Sequence, residues 1–180
     1  MIEIDGSFGE GGGQIARTAL ALSTLTGKPF RIFDIRKNRP EPGLKAQHLT
    51  AVDALRQICD AKTNEVAVGS TELRYIPGKI RGGAFSFDIG TAGSISLLLQ
   101  ALLPPVMFGP KKTTITITGG TCGKWQTPVE YFQSVLLPQV QRFCKQITCT
   151  MTKRGYYPKG GGSVTLDVKP LLSLKNYDTF

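Results

Sequence analysis

Acidic residues are scarce in this sequence: 13 Asp and Glu stand against 22 Lys and Arg in 180 residues, a formal charge of +9. That balance argues against an acidic, self-repelling chain and favours a polyanionic partner such as RNA. Histidine is almost missing, with His48 the single one. The four cysteines, Cys59, Cys122, Cys144 and Cys149, form no Cys-x-x-Cys pair. A zinc site is therefore not expected, and the cysteines read as reduced, mostly packed thiols of a cytosolic protein. No apolar run is long enough for a membrane span, and Met1-Ile2-Glu3 lacks the basic-then-apolar order of a signal peptide. No membrane association is expected, and the expected location is the cytoplasm, or the nucleus in a eukaryote. No glycine run ends in Gly-Lys-Ser/Thr, which excludes a Walker loop.

What the sequence does have is glycine in a telling place. Ile2 to Ile4 form a short apolar strand stopped by Asp5-Gly6, followed by Gly9-Glu10-Gly11-Gly12-Gly13-Gln14. Ile15, Ala19, Leu22 and Leu25 then recur at helical spacing. Glycine lets a ligand approach the backbone closely, and the N–H groups of a helix start can hold an anion. Glu10 lies inside the run, and Gln14 and Arg17 fall three apart on the helix that follows. A carboxylate, an amide and a guanidinium around bare backbone suit a nucleotide or phosphate with a metal. On the run alone a plain tight turn explains the glycines equally well.

Read for periodicity, the chain says nearly the same thing twice. The first pass predicts strand Ile2–Asp5, a helix over 13–25, strand Phe30–Ile35, a helix over Leu44–Cys59, and a hairpin of Glu65–Val68 with Leu73–Ile76 around Gly69-Ser70. The second predicts strand Phe85–Ile89, the turn Gly90–Gly93, a very apolar helix over Ser94–Leu103 ended or kinked by Pro104-Pro105, and strand Thr113–Thr118. A helix from Pro128 to Phe143, bent at Pro138, and a hairpin of Ile147–Lys153 with Ser163–Val168 complete it. Each pass is β-α-β-α-β-β, an α+β fold (an α/β sandwich) of two tandem units over 1–80 and 81–170. Each unit would be a four-stranded sheet with two helices.

Four further places carry chemistry. Arg36, Arg39 and the Pro40–Gly43 loop follow the second strand, with Gln47 and His48 on the next helix; the arginines suit either phosphate or open solvent. A solitary helical histidine is more often packed and hydrogen-bonded than nucleophilic. Gln100 sits among Leu97, Leu98, Leu99, Ala101, Leu102 and Leu103, where an amide needs a structural or ligand-facing reason. Trp125, ahead of Pro128, Tyr131 and Phe132, suits an aromatic wall for a base or ordinary packing. Last, Arg154-Gly155-Tyr156-Tyr157-Pro158-Lys159-Gly160-Gly161-Gly162 combines two cations, two aromatics and three glycines, able to hold phosphate and stack a base.

That last stretch resembles the signature of the RNA 3′-terminal phosphate cyclases: Arg-Gly, two variable residues, Pro, one variable residue, three glycines, and an aliphatic residue at Val164. The similarity extends through Asp5-Gly6, Gly9–Gln14 and Arg17, through Arg36–Gly43 with Gln47–Val52, and through Ile89–Gln100. The resemblance implies the fold of the RNA cyclase and EPSP-synthase-like superfamily. It also implies a ligase-type enzyme of RNA processing that uses ATP and Mg²⁺ or Mn²⁺ to turn an RNA 3′-phosphate into a 2′,3′-cyclic phosphodiester. AMP passes from an enzyme histidine to the RNA phosphate and is displaced by the neighbouring 2′-OH. By motif match, Glu10 is the catalytic or metal-holding carboxylate. Gln14, Arg17, Arg39 and Gln47 line the nucleotide and phosphate site, Gln100 contacts ATP, and Pro128 borders the adenine pocket. Arg154 and Lys159 belong to the RNA and phosphate loop.

Two departures go with it. Family members are about twice as long, with a third unit that bears the adenylylated histidine and an inserted domain toward which 171–180 would lead. His48 matches a different position, so this chain alone is expected to be inactive and to work with a C-terminal half or a second copy. Cys122 stands where relatives commonly carry Asp. The alternative is a non-catalytic cyclase-like RNA-binding protein of ribosome assembly, against which Glu10, Arg17, Arg39 and Gln100 argue. A carboxyvinyl transferase is disfavoured by Arg154–Gly162.

Overall fold

The structure, a computed structural model, describes residues 1–124 and 126–171. Trp125 and the stretch 172–180, which the sequence reading assigned to an aromatic wall and to a connection, lie outside the described residues. The chain divides into two compact units, Met1–Ile80 and the residues from Arg81 on.

The first unit runs β1 (Ile2–Asp5), α1 (Gly13–Thr26), β2 (Phe30–Phe33), α2 (Ala46–Cys59), β3 (Lys62–Thr63) and β4 (Leu73–Ile76). Its sheet has the order β1-β2-β4-β3, with β1 and β2 parallel and the other pairs antiparallel. Strand alternation sends Phe30, Ile32, Leu73 and Tyr75 into the core, where Leu20 of α1 and Leu55 and Ile58 of α2 meet them. Burying each such side chain favours folding by roughly 1.5–3 kcal/mol. The Tyr75 hydroxyl lies 2.7 Å from Thr24 Oγ1 and 3.2 Å from Cys59 Sγ, so one polar cluster ties α1, α2 and β4 together.

The second unit repeats the plan with β5 (Gly83–Asp88), α3 (Ile95–Met107), β6 (Thr113–Gly119), a helical run over 129–143, β7 (Cys144–Lys153) and β8 (Gly162–Pro170). The sheet order β5-β6-β8-β7 is that of the first unit. Ile115, Ile117, Val164, Leu166 and Val168 point to the core, against Ile95, Leu98, Leu99 and Leu102 of α3 and Phe132 of the helical run. The α+β class and the doubled β-α-β-α-β-β order match the sequence reading.

Several boundaries differ, each for a local reason. β2 ends at Phe33 rather than Ile35 because Asp34 takes φ 51° and Arg36 φ 56°. α2 starts at Ala46 rather than Leu44, since the Leu44 N–H donates to Ser70 O and the extended Lys45 forms the cap. Glu65–Val68 is not a strand. The Asn64 side chain takes the Arg74 N–H at 2.7 Å, and the chain beyond bonds instead to the loop before α2, through Gly69 N to Leu44 O and Ile35 N to Thr71 O. α3 does not stop at Pro104-Pro105 but continues to Met107, where Pro105, Val106 and Met107 are buried. The predicted bend at Pro138 is met by a π turn over Phe132–Leu136, in which Leu137 N–H reaches back to Phe132 O just before the proline.

Candidate phosphate and nucleotide sites

In the first unit the glycine turn is a set of stacked tight bonds. Asp5 Oδ1 accepts from Ser7 N at 2.8 Å and Ser7 Oγ at 2.7 Å, and Gly11 N–H closes onto Phe8 O at 3.0 Å. Asn38 Nδ2 holds Ser7 O from the far side at 3.1 Å. The turn delivers Gly12 as the N-cap of α1, and no side chain caps that end; nor is there an acidic residue in the first turn. The Ile15 N–H turns back to Gly12 O at 3.3 Å, and among the described residues those of Gly13 and Gln14 are left for another acceptor. The equivalent helix of the second unit is closed: Ser94 caps α3 by accepting from Leu97 N, and Asp88 and Thr91 take the N–H groups of Gly90 and Gly93. The repeat therefore opens one helix end and shuts the other.

Cations surround the open end. Arg17 is 93% buried, since it retains 7% of its exposure. Its Nη2 donates to Gln14 Oε1 at 3.0 Å, while its buried Nε finds no partner among the described residues. Leaving such a donor unpaired costs roughly 1–3 kcal/mol. Arg39 Nη2 meets Glu10 Oε2 at 2.9 Å, but the Glu10 side chain is 89% exposed. An ion pair that open contributes only about 0–1 kcal/mol, so a phosphate or a metal could part it cheaply. Arg36 Nη1 reaches Gly43 O at 3.3 Å, and Lys45 pairs with Glu41.

His48 is a buried cap. Its Nδ1 accepts the Lys45 backbone N–H at 2.9 Å, and the His48 backbone N–H returns to Lys45 O. Accepting at Nδ1 leaves the neutral ring's proton on Nε2. Burial first, and then the charges of Arg17, Arg36 and Lys45, push its pKa down from 6.5 to about 4. Nε2 lies against Gly13, where an added Cβ would sit 2.1 Å from it. The ring is thus a neutral N–H donor packed under the helix start. Glu10, Gln14, Arg17, Arg39 and His48 gather here, and Gln47 lies half-buried on the first turn of α2 beside His48.

Among the described residues no three His, Cys, Asp or Glu gather as a metal cage. Glu10 is the carboxylate within Gly9–Gly13, and Asp5 Oδ1 is taken up by Ser7, which suits an ion that takes its other ligands from phosphates and water, as Mg²⁺ commonly does.

The second unit carries a different feature. A pocket of about 390 Å³ lies between α3 and the helical run, lined by Leu103, Pro104, Met107, Leu136, Val140 and Phe143, with Gln100 at its wall. Its size is in the range of small-molecule sites. Gln100 is half-buried, and among the described residues its amide has no hydrogen-bond partner. Pro104 has no N–H to offer the Gln100 carbonyl. Pro128 is not part of this pocket; it heads the helical run as its N-cap.

The Arg154–Gly162 loop is explained mainly by packing. A Cβ on Gly155 would lie 2.1 Å from Gly162 N, and one on Gly160 2.4 Å from Thr91 O. Thr121 clamps Gly155 from both sides, its N–H donating to Gly155 O and its Oγ1 accepting the Gly155 N–H. Arg154 is held by Glu130, while Lys159 and Tyr157 are exposed. Sequence reasoning missed the buried state of Arg17 and the capping role of His48. The Gly13–His48 contact leaves no trace in spacing.

The sequence model of the family described as RNA 3′-terminal phosphate cyclase matches residues 8–178. Proteins named RNA 3′-terminal phosphate cyclase are similar throughout. That of Archaeoglobus fulgidus is 53% identical over 170 residues, 94% of this chain and 52% of the relative. That of Ignicoccus hospitalis is 49% identical over 177 residues, 98% of this chain and 50% of the relative. The Pyrococcus furiosus protein is 49% identical over 175 residues, 97% and 51%. The chain spans about half the length of the relatives it matches.

Proposed function

Because the chain belongs to the RNA 3′-terminal phosphate cyclase family, we propose that it forms the part of such an enzyme that binds the terminal phosphate and the nucleoside. The reaction is the ATP-dependent closure of an RNA 3′-phosphate to a 2′,3′-cyclic phosphodiester. The observation that carries this reading is the uncapped start of α1 together with the unpartnered Nε of Arg17 on the same helix. A terminal phosphate there would accept from the first-turn N–H groups and from Arg17, with Arg39 released from Glu10 to join it. His48 supplies a neutral N–H beneath the same turn. Pinned at Nδ1 by the Lys45 N–H and protonated at Nε2, the ring has no free lone pair, so it is a positioning group rather than the nucleophile that takes AMP. A Mg²⁺ or Mn²⁺ ion, held by Glu10 and phosphate oxygens, would supply charge neutralisation.

In the second unit the apolar pocket suits the flat face of adenine, and the unpaired amide of Gln100 suits its polar edge. With the terminal phosphate held at α1, attack of the neighbouring 2′-OH on it, once activated, needs mainly positioning.

The test is equilibrium binding of an oligonucleotide ending in a 3′-phosphate against its 3′-hydroxyl counterpart. The native protein should prefer the phosphate, and Arg39→Ala should erase about 10- to 100-fold of that preference, the worth of a charge-assisted hydrogen bond. Equal losses for both oligonucleotides would refute the assignment.

A further inference from the structure

Charge is divided unequally between the units. Up to Ile80 there are eleven basic and nine acidic residues; from Arg81 on there are eleven basic and four acidic. The β-ladders show where much of that excess goes. Gly83 pairs with Thr113, Thr113 with Val168, and Val168 with Ile147, so these four positions form one row across the sheet. Just outside the row lie Arg81 before β5, Lys111 and Lys112 before β6, Lys169 near the end of β8, and Lys145 at the start of β7. All five are exposed. Gly83 N–H donates to Lys112 O at 3.1 Å, joining the first two segments. Asp167 is the acidic residue in this group; it accepts from Thr114 Oγ1 at 2.6 Å and lies 3.3 Å from Lys112 Nζ. A hollow of about 140 Å³ opens here, lined by Lys112, Gln146, Thr148, Asp167, Val168 and Lys169. The Gly90–Gly93 turn and the Arg154–Gly162 loop lie at the other end of the same strands.

We propose that this lysine rim is a second RNA-binding surface, one that holds the phosphate backbone of the RNA body away from its 3′ end. The choice of RNA rests on the family reading given above; the placement rests on the ladder register alone. Adjacent strands lie about 4.8 Å apart, so the lysines form a spaced row rather than a point. Lysine is a point charge on a flexible stem, which follows a phosphate chain without needing fixed geometry. Thr148 and Gln146 add hydroxyl and amide donors of the kind that bond phosphate oxygens. Binding at the rim is accordingly independent of sequence and steeply salt-dependent.

The experiment compares the full chain with Lys111→Glu/Lys145→Glu/Lys169→Glu, using a single-stranded 20-mer and a trinucleotide, each with a 3′-phosphate, over a salt series. For the 20-mer the variant should lose affinity, and its log K against log salt slope should become shallower by about 2, at roughly 0.7 per phosphate contact. The trinucleotide should bind both proteins equally, and the preference for 3′-phosphate over 3′-hydroxyl should be unchanged. Lys111→Gln/Lys145→Gln/Lys169→Gln should show the same pattern more weakly. An unchanged slope for the 20-mer overturns the rim, as does equal loss on both lengths. Loss of binding to vesicles of anionic lipid with RNA binding intact overturns it in favour of a membrane. Arg39→Ala keeps the two readings apart: it should remove the 3′-phosphate preference and leave the length-dependent slope intact.

Discussion

At the scale of single residues, His48 is the side chain whose environment most changes its chemistry. Its folded pKa of about 4 lies below the ordinary 6.5, so on acidification the unfolded chain takes the proton first. The stability that the neutral ring permits is complete above pH 6.5 and is lost progressively as pH falls towards 4. At 1.36 kcal/mol per pKa unit the loss approaches about 3 kcal/mol. Because this is the only histidine, one imidazole signal followed by NMR against pH reads it directly. The midpoint should fall near 4, with the neutral form protonated at Nε2. His48→Asn, which keeps an acceptor for the Lys45 N–H, should flatten that part of the stability profile in denaturant melts at pH 7 and 4.5. Much of this was closed to the sequence. A lone histidine on a helix reads as packed, as found, but the cations that depress it come from α1, from the Arg36 loop and from the residue before α2.

Among elements, the two helix starts distinguish a site from a repeat. Sequence periodicity made both glycine turns visible and predicted α1 and α2 within a residue or two. It also placed β4 and β6 closely, because strand alternation of Leu73–Ile76 and Thr113–Thr118 mirrors burial. It failed at Glu65–Val68, where the Asn64 side chain took the ladder's place, and of the two readings of Pro104-Pro105, a helix end or a kink, the end is excluded, since the helix continues through the buried Pro105, Val106 and Met107. Glu10, Gln14 and Arg17 were legible as a polar group around glycine; that Arg17 is buried with an unpaired Nε was not. The contact between α1 and α2 at Gly13 gives an element-scale test. Gly13→Ala places a methyl on His48 Nε2 and should destabilise the protein by about 1–3 kcal/mol, as overpacking does. In the His48→Ala background the same change should cost far less, a coupling that a double-mutant cycle in urea would measure. Additive losses would mean that the ring moves aside freely.

For the molecule as a whole, one plan is used twice and loaded differently. The first unit, almost balanced in charge, leaves a helix end uncapped and the buried Nε of Arg17 without a partner among the described residues. The second shuts its helix end, opens an apolar pocket beside Gln100 and carries the basic excess. Fold class and family could be read from the sequence because both rest on periodicity and on short motifs. The division of labour could not, since capping and burial are settled by partners far apart in the chain. The central claim is that the first-turn amides of α1 and Arg17 Nε receive the terminal phosphate of RNA. Its most direct test is a ¹H–¹⁵N NMR titration with paired oligonucleotides that differ only in a 3′-phosphate or 3′-hydroxyl end. The account predicts that the amides of Gly12, Gly13 and Gln14 and the Arg17 Nε–H signal shift strongly with the phosphate and little with the hydroxyl. Shifts that spare these signals while others respond, or equal shifts with both ends, would contradict it.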